Sequence, residues 1–441
     1  MGVSMSDAMT KREAAEREAG GRGWSKRGWG ERIAKIVLWG GLGLLVSHSQ
    51  GVMADSGDMQ KLKWSSDFRS RWESLDYAQD PSVVGRREQY DQLSMRARLA
   101  SRFQARENLS LQFRLATGAG GTSTNSVYGD TVKGFRNPEF RLDRAHLMWK
   151  LPVFEVHAGR MVMVARAAGQ NDMMWDSDLH WDGMAIRREF KAEDWRAGFA
   201  VAHAILSESR ASSAASDARY QVAHLHASFR SSIGEWGMVL GEARTHGVAG
   251  LAAMVGTDFA GNSNAASAYR YEYQTQYLGV EWKALDAPLV MFAQIAQNAA
   301  VSDARRAQIV GARWDASRGA GGASGGAVGG GGASAASGAS SGTSSGASDG
   351  ARVEGLSWPL GWSLAWDYRE VQADSTLGIF TDSETFGGGA DGRSHRVVAT
   401  VRADEDVNLV ATYLWGESRI SDPLLSNLAR RRLMLDLVAE F

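Results

Sequence analysis

The segment LSMRARLASRF, residues 93–103, restricts the possible fold more than any other part of the chain. Its residues alternate between two faces with the period of a β-strand. One face carries Leu93, Met95, Ala97, Leu99 and Phe103, and the other carries Ser94, Arg96, Arg98, Ala100 and Arg102. Three arginines on one face exclude a dry core, and each would cost roughly 2–4 kcal/mol on the lipid side at mid-membrane. The apolar face must therefore meet lipid or another apolar layer, and the basic face must meet water.

The same alternation recurs along the chain from Lys63 onward. It is clear in LSLQFRLA (109–116), DWRAGFAVAH (194–203), YQVAHLHASF (220–229) and GWSLAWDYRE (361–370). Sixteen such segments are predicted, beginning near residues 65, 92, 109, 141, 153, 181, 194, 220, 235, 271, 288, 306, 361, 394, 406 and 432. An even number is what a bacterial single-chain membrane barrel requires.

Short connections between these segments alternate with long ones. The short ones are QAREN, KLPV, KAED, SSIG, KALDAP and ADED, and the long ones lie near 76–90, 118–139, 161–179, 204–219, 245–270, 372–392 and 417–430. A β-sandwich would not show this asymmetry. The pattern predicts an all-β fold, a transmembrane antiparallel up-and-down β-barrel of about 16 strands with short periplasmic turns and long extracellular loops.

The chain ends in a strand pattern, RRLMLDLVAEF, which alternates up to its last residue, Phe441. An open sheet edge in lipid would leave backbone groups unpaired at several kcal/mol each. The last strand is therefore expected to pair with the first, with Phe441 on the lipid-facing side.

The first 54 residues have the order of a secretory signal peptide with a long basic region. KRGWGERIAK is basic, IVLWGGLGLLV is apolar but too short to span a bilayer as a helix, and GVMA offers a cleavage site after Ala54. A buried amphipathic helix is the alternative, and Met5 or Met9 could be the true start. Residues 1–54 contain 8 of the 49 basic and 5 of the 50 acidic residues, so the mature chain 55–441 has a net charge of about −4. This charge does not indicate nucleic-acid binding.

Residues 317–352 consist almost entirely of Gly, Ala and Ser. Such a composition cannot bury enough surface to offset the cost of ordering, so the tract is predicted to be a flexible insertion, and its place in the strand order puts it in a periplasmic turn. A domain boundary is the competing interpretation. It is rejected because the roughly 90 residues that follow hold only four predicted strands, too few for a second barrel.

Five segments spread along the chain resemble the family of bacterial putative porins: FRLATGAGGTSTN, WDSDLHWDGMAI, WSLAWDYREVQAD, GIFTDSETFGGGADG and LMLDLVAEF. The resemblance extends from about residue 66 to 441. It implies a sixteen-stranded channel in the outer membrane of a Gram-negative bacterium that admits small solutes without a cofactor. It also implies contact with outer-membrane lipid and lipopolysaccharide, and a role for Phe441 as a signal to the barrel-assembly machinery. The resemblance does not identify the solute, and it is compatible with both a monomer and a homotrimer.

Strand parity sends one set of arginines into the lumen, where selectivity comes from pore width and fixed charge. The predicted pore-lining residues are Arg69, Arg71, Arg96, Arg98, Arg102 and Arg114, with Arg144 as a further candidate. Two interpretations stay open: the arginines attract anions, or they pair with lumen carboxylates and brace the wall.

The loop 161–180, MVMVARAAGQNDMMWDSDLH, is predicted to be a constriction loop. Its apolar Met173, Met174 and Trp175 favour a packed position inside the barrel, where Asp172, Asp176 and Asp178 would face the arginine wall. Packing outside the pore is the alternative. Four arginines of the wall against these three carboxylates predict a weak anion preference.

The remaining candidate sites are weaker. His224 and His226 share a lumen face but lack a nearby third zinc ligand. Asp382, Glu384 and Asp391 lack the spacing of a calcium loop and are expected to lie in a plain surface loop. No motif places a nucleophile beside a base, so an enzyme is not expected. An adhesin or other interaction scaffold built on a barrel is the alternative to a porin.

Overall fold

The computed structural model describes residues 62–78, 87–118, 126–127, 139–207, 217–254, 259–316, 361–385, 388–418 and 428–441. The predicted signal peptide, 1–54, and the Gly/Ala/Ser tract, 317–352, lie outside the described residues.

Sixteen long strands follow one another through these ranges. They are β1 (Leu62–Ala78), β2 (Arg87–Arg106), β3 (Leu109–Thr117), β4 (Phe140–Lys150), β5 (Glu155–Val162), β6 (His180–Lys191), β7 (Trp195–Ser207), β8 (Ala218–Ser231), β9 (Gly234–His246), β10 (Gln274–Ala284), β11 (Leu289–Asn298), β12 (Arg306–Asp315), β13 (Gly361–Val371), β14 (Gly392–Arg402), β15 (Val407–Ser418) and β16 (Leu428–Glu440). Two-residue strands also occur at Ser126–Val127, Asn264–Ala265 and Ala268–Tyr269. The predicted number is confirmed, and the predicted starts differ from the observed ones by at most five residues.

Each strand pairs with its neighbours in antiparallel register, and β16 closes the sheet onto β1. The last residue takes part in this closure. The backbone N–H of Phe441 donates to the Ser66 carbonyl at 2.9 Å, and the Ser66 N–H donates to the Phe441 carbonyl at 2.9 Å. Both edges of the barrel sheet are thereby paired, as a barrel in lipid requires, and the predicted closed barrel is confirmed.

The two faces of each strand differ as the sequence alternation predicts. On β2, Arg98 is 4 % exposed, whereas its neighbour Leu99 is 47 % exposed. Other exposed apolar side chains lie on the same outer surface, among them Phe113, Leu225, Leu240, Ile295 and Leu409. This is the reverse of a soluble protein, in which arginine lies outside and leucine inside. The outer surface is therefore the lipid-facing one.

Tryptophans mark one rim of the barrel. They point outward near the short turns, at Trp64, Trp149, Trp195, Trp236, Trp282, Trp314 and Trp362. Amphipathic rings favour the boundary between lipid and water, and membrane barrels carry such girdles there. This end is called the short-turn rim below, and the opposite end is called the long-loop rim.

Three connections from the long-loop rim enter the barrel. They are residues 163–179, 247–273 and 372–391, apart from 255–258 and 386–387, which lie outside the described residues. Their apolar side chains pack with inward residues of the wall in one buried cluster that includes Met173, Met174, Trp175, Tyr269 and Phe380. No helix in the described part of the chain is long and apolar enough to cross a membrane.

Candidate functional site

Strand alternation brings five arginines to one side of the lumen. Arg69 and Arg71 lie on β1, Arg96 and Arg98 on β2, and Arg114 on β3, and all are between 3 and 5 % exposed. This set is called the basic wall. Arg102 is half-buried on the same face of β2, nearer the short-turn rim, and Arg144 on β4 lies opposite Arg114.

Carboxylates of neighbouring strands pair with the basic wall. Asp67 lies directly opposite Arg98 and accepts its Nε–H at 2.5 Å. Asp436 on β16 lies opposite Arg71 and binds it through both oxygens, at 2.6 and 2.8 Å. Asp143 accepts from Arg114 at 2.5 Å, the third such pair. Cross-strand pairs of opposite charge stabilise a sheet, so these contacts fit the bracing interpretation.

Residues 163–179, called the strap below, begin after β5 and cross the lumen before β6. Near the end of the strap, Asp178 accepts from Arg98 at 3.0 Å and from Arg96 at 3.4 Å. Burial favours the neutral form of Asp178, but the charges of Arg96 and Arg98 outweigh burial and hold the pKa of this carboxyl below its usual value. Of the three predicted aspartates, Asp178 is the one that docks on the basic wall.

Asp172 contacts another part of the barrel wall, so the expectation that it faces the basic wall is wrong. Its carboxylate contacts Arg369 of β13 at 2.7 Å and Arg396 of β14 at 2.9 Å. An extended chain of six residues spans at most roughly 20 Å, which is enough for Asp172 and Asp178 to reach different strands of the wall.

Two further carboxylates complete this second set of charges. Asp367 lies opposite Arg396 in the sheet and binds it at 2.8 Å, and Asp382 contacts Arg369 at 3.2 Å. Asp172, Asp367, Asp382, Arg369 and Arg396 are called the second charged cluster. Burial and the nearby charge of Asp172 raise the pKa of Asp382 above its usual value. With three carboxylates around two guanidinium groups, the cluster retains a proton more readily than separate carboxylates would.

The loop 372–391 is not the plain surface loop that the sequence suggested. Asp382 and Asp391 are 4 and 6 % exposed, and Glu384 pairs with Arg71. The loop turns inward, and its carboxylates pair with arginines of β1, β13 and β14, a partnership that no local periodicity reveals. Within the described residues, no three His, Cys, Asp or Glu side chains are placed to hold a metal ion.

Asp176 also lies away from the basic wall, so the expectation that it faces this wall is wrong as well. Its Oδ1 accepts the Asp178 N–H at 2.9 Å, and its Oδ2 accepts the Ser383 N–H at 3.2 Å. Its own N–H donates to the Phe380 carbonyl at 2.6 Å. Burial and the charge of Asp178 raise the pKa of Asp176 to about 7. Asp176 therefore joins the strap to the loop 372–391.

The middle of the strap is apolar and packed. Met173 and Met174 are 1 % exposed, and the Trp175 indole donates to the Tyr220 hydroxyl at 2.9 Å. Tyr220 in turn stacks on Trp181 at 4.9 Å between ring centroids. The sequence inference that these apolar residues favour an inward loop agrees with this position.

A second tether fixes the first half of the strap to β10 and β11. Gln294 Oε1 accepts the Ala168 N–H at 3.1 Å and the Asn171 amide at 3.0 Å. Gly169 adopts φ +61°, and a Cβ there would lie 2.3 Å from the ring of Phe292. Only glycine fits this close approach.

His224 and His226 lie on the inner face of β8, as parity indicates. His224 exchanges a hydrogen bond with the Tyr277 hydroxyl at 2.9 Å, and its Nε2 accepts the Arg166 N–H of the strap at 3.3 Å. Its contacts thus hold the strap at its starting end.

The strap divides the lumen into two unlike sides. The apolar cluster fills the side of β5 to β12, whereas fixed charges from the basic wall and the second charged cluster line the side of β13 to β16 and β1 to β4. Sequence reasoning missed Asp67, Asp143, Asp367, Arg369, Arg396 and Asp436. The strand patterns indicate that those of these residues on strands point inward, but they do not indicate which residues they pair with.

Comparisons with known proteins agree with this architecture. A sequence model of the family described as "Putative porin" matches residues 50–295, more than half of the chain. No curated protein gives a significant match. Among solved structures, Pseudomonas putida OprB at high pH is 9 % identical, with 87 % of this chain and 94 % of that chain covered and a TM-score of 0.52.

The match to two other solved structures covers all or nearly all of their chains. Salmonella typhi OmpF in complex with daunomycin is 9 % identical over 88 % of this chain and 100 % of that chain, with a TM-score of 0.45. The trimer form of Vibrio cholerae OmpT is 9 % identical over 86 % and 99 %, with a TM-score of 0.44. The chain therefore belongs to the Putative porin family and is a porin of the Gram-negative outer membrane.

Proposed function

We propose that this porin allows small hydrophilic solutes or ions to diffuse passively along the charged side of its lumen. The position of the strap, held against the basic wall by Asp178 and against the second charged cluster by Asp172, is the observation that supports this route. The other side is packed with methionine and aromatic side chains. Fixed charges on both flanks of a constriction are how pores select ions.

We propose a weak anion preference for this route. Six guanidinium groups, those of the basic wall and Arg144, lie near five carboxylates, which are Asp67, Asp143, Asp178, Glu384 and Asp436. The excess is one positive charge. The second charged cluster adds two arginines and three carboxylates, and a retained proton would make it neutral. A single excess charge supports a small preference that weakens in concentrated salt, where the screening length falls to about 3 Å at 1 M.

Reversal potentials in a salt gradient across planar bilayers test both proposals. Wild-type protein should give stepwise current and a reversal potential on the anion side. Arg96→Gln with Arg98→Gln removes two positive charges and should move the reversal potential toward cations, with the barrel still folded. Arg393→Gln, which changes an exposed outward arginine of β14, is the control and should leave the potential unchanged. An unchanged potential in the double variant would refute the charged route.

An interaction scaffold is the second candidate, because three inward loops and an apolar cluster occupy much of the lumen. A plugged scaffold would give no stepwise current in the same recording. The porin family and fold favour a channel over an enzyme, and the proposed function includes no catalytic step.

We further propose that the mature chain begins at Asp55, that Phe441 is read by the barrel-assembly machinery, and that the protein contacts lipopolysaccharide in the membrane. N-terminal sequencing of protein from an outer-membrane fraction tests the first point. Residue 55 at the N-terminus is the expected result, and an intact leader would contradict it.

A further inference from the structure

A half-open pocket lies in the inner wall of the barrel near the long-loop rim. It encloses about 290 Å³, with its open mouth included. Ser394 of β14 lies opposite Gly416 of β15, and Gly416 lies opposite Arg430 of β16. The next row toward the short-turn rim lines the pocket as well, and its members are Leu414, Arg432 and Leu75. This space is called the rim pocket.

Gly416 accounts for the space in the rim pocket. It leaves a gap in the wall, and an added Cβ would lie 2.1 Å from the Arg393 carbonyl oxygen, so no larger residue fits there. Leu414 and Leu75, which are 4 and 8 % exposed, also line the pocket. The pocket therefore offers apolar surface beside the gap, which suits a short aliphatic chain.

The Ser394 hydroxyl borders the rim pocket without a hydrogen-bond partner. The residue is 4 % exposed, and its Oγ has no partner within the described part of the chain. Buried hydroxyl groups are almost always paired, and an unpaired one requires an explanation. Because this hydroxyl can donate a hydrogen bond, a ligand in the pocket should present an acceptor.

Two arginines of β16 give the same pocket a positive edge. The Arg430 Nε–H donates to the Ser418 hydroxyl at 2.7 Å, and Arg432 donates to a Glu73 carboxylate oxygen at 2.7 Å. Arg432 also donates to the Glu384 carbonyl at 2.9 Å. These contacts fix the positions of both guanidinium groups beside the pocket.

The lining restricts the class of ligand. A carboxylate only accepts hydrogen bonds, so it suits the Ser394 hydroxyl and the two arginines. A dianion such as phosphate is disfavoured, because the carboxylates of Glu73 and Glu384 lie close by. The apolar surface of Leu75 and Leu414 suits an aliphatic tail.

We propose that the rim pocket binds small aliphatic monocarboxylates as they enter the charged side of the lumen. This inference rests on the proposed function, and it assigns a solute class to that route. The pocket adjoins the second charged cluster, because Leu414 of its lining lies opposite Arg396. The carboxylate accepts from Ser394 and the arginines, and the tail lies over Gly416 beside the leucines.

Saturation-transfer difference NMR of the purified protein in detergent micelles tests the pocket, with butyrate as the probe and formate as its counterpart without a tail. Butyrate should bind roughly tenfold more tightly than formate, because its three additional carbons are partly removed from water. Ser394→Ala should weaken butyrate binding roughly tenfold, because a hydrogen bond to a charged group is lost. Ser110→Ala is the matched control, since Ser110 on β3 is also a buried serine whose hydroxyl has no partner among the described residues, and it lies outside the pocket.

Three results of this titration would overturn the proposal. One is unchanged butyrate binding in Ser394→Ala, or an equal loss in Ser110→Ala. Another is equal affinity for butyrate and formate, which would indicate an anion site that does not recognise a tail. The third is displacement of butyrate by inorganic phosphate at a lower concentration than by acetate, which would exclude a preference for monocarboxylates.

Single-channel recording separates this inference from the proposed function. Butyrate added on the long-loop side should interrupt the wild-type current in brief events, and it should do so several-fold less often in Ser394→Ala. Current without such interruptions would overturn the placement of the rim pocket on the route. Butyrate binding by a protein that gives no current would refute the proposed function and leave the rim pocket as a ligand site.

Discussion

Replacing Asp178 with Asn should release one end of the strap from the basic wall. The Asp178 carboxylate is shared by Arg96 and Arg98, at 3.4 and 3.0 Å. Removing one partner of a buried ion pair costs about 3–5 kcal/mol when the other charge is left uncompensated. Here Asp67 still binds both arginines, so a smaller loss of about 1–3 kcal/mol is expected. A loss of about 2 kcal/mol shifts the balance toward an undocked strap roughly thirtyfold.

Single-channel recording in planar bilayers measures this release. The Asp178→Asn channel should spend more time in a state of higher conductance than the wild type, and its anion preference should increase because one lumen carboxylate is gone. Asp182→Asn is the control, since Asp182 lies close in sequence but is exposed on the outer face. A changed reversal potential with unchanged conductance would refute the idea that the strap limits the pore.

Three further outcomes follow from the structure. Deleting Phe441 removes both backbone hydrogen bonds to Ser66 at the closure and should lower the yield of the folded, heat-modifiable band in cells; an unchanged yield would count against an assembly role. Replacing residues 317–352 with a four-residue turn should leave melting and conductance nearly unchanged, and a collapse of either would show that the tract packs in the pore. Because the pKa of Asp176 is raised to about 7, its neutral form stabilises the docked strap below about pH 4, and this contribution is lost as the pH rises through 7. Conductance should therefore increase above pH 7 in the wild type and not in Asp176→Asn, and a pH response retained in the variant would exclude Asp176 as its source.

The strands could be predicted because their signal is local. In a membrane barrel every second residue faces lipid, so a stretch such as LSMRARLASRF reports its own inner and outer faces. The same parity placed Arg96, Arg98 and Arg114 inside before any partner was known. Closure through Phe441 followed from the cost of an open edge in lipid.

The path of the loops could not be predicted, because it depends on partners far apart in the chain. Asp172 binds Arg396 across 224 residues, and Arg71 binds Asp436 across 365. No periodicity in NDMMWDSDLH indicates that two of its aspartates contact different strands of the wall. The methionines and the tryptophan of this loop predict that it packs inside the barrel. They do not identify which strands the neighbouring aspartates contact.

Access of a thiol reagent to the lumen tests the central claim, a conducting path along the charged side, most directly. Arg102→Cys places a thiol on the inner face of β2, and Leu99→Cys places one on the lipid face of the same strand. A negatively charged methanethiosulfonate added during single-channel recording should lower the current through the Arg102→Cys channel in discrete steps and leave the Leu99→Cys channel unchanged. The absence of any current, or a current that the reagent does not alter in Arg102→Cys, would contradict the account.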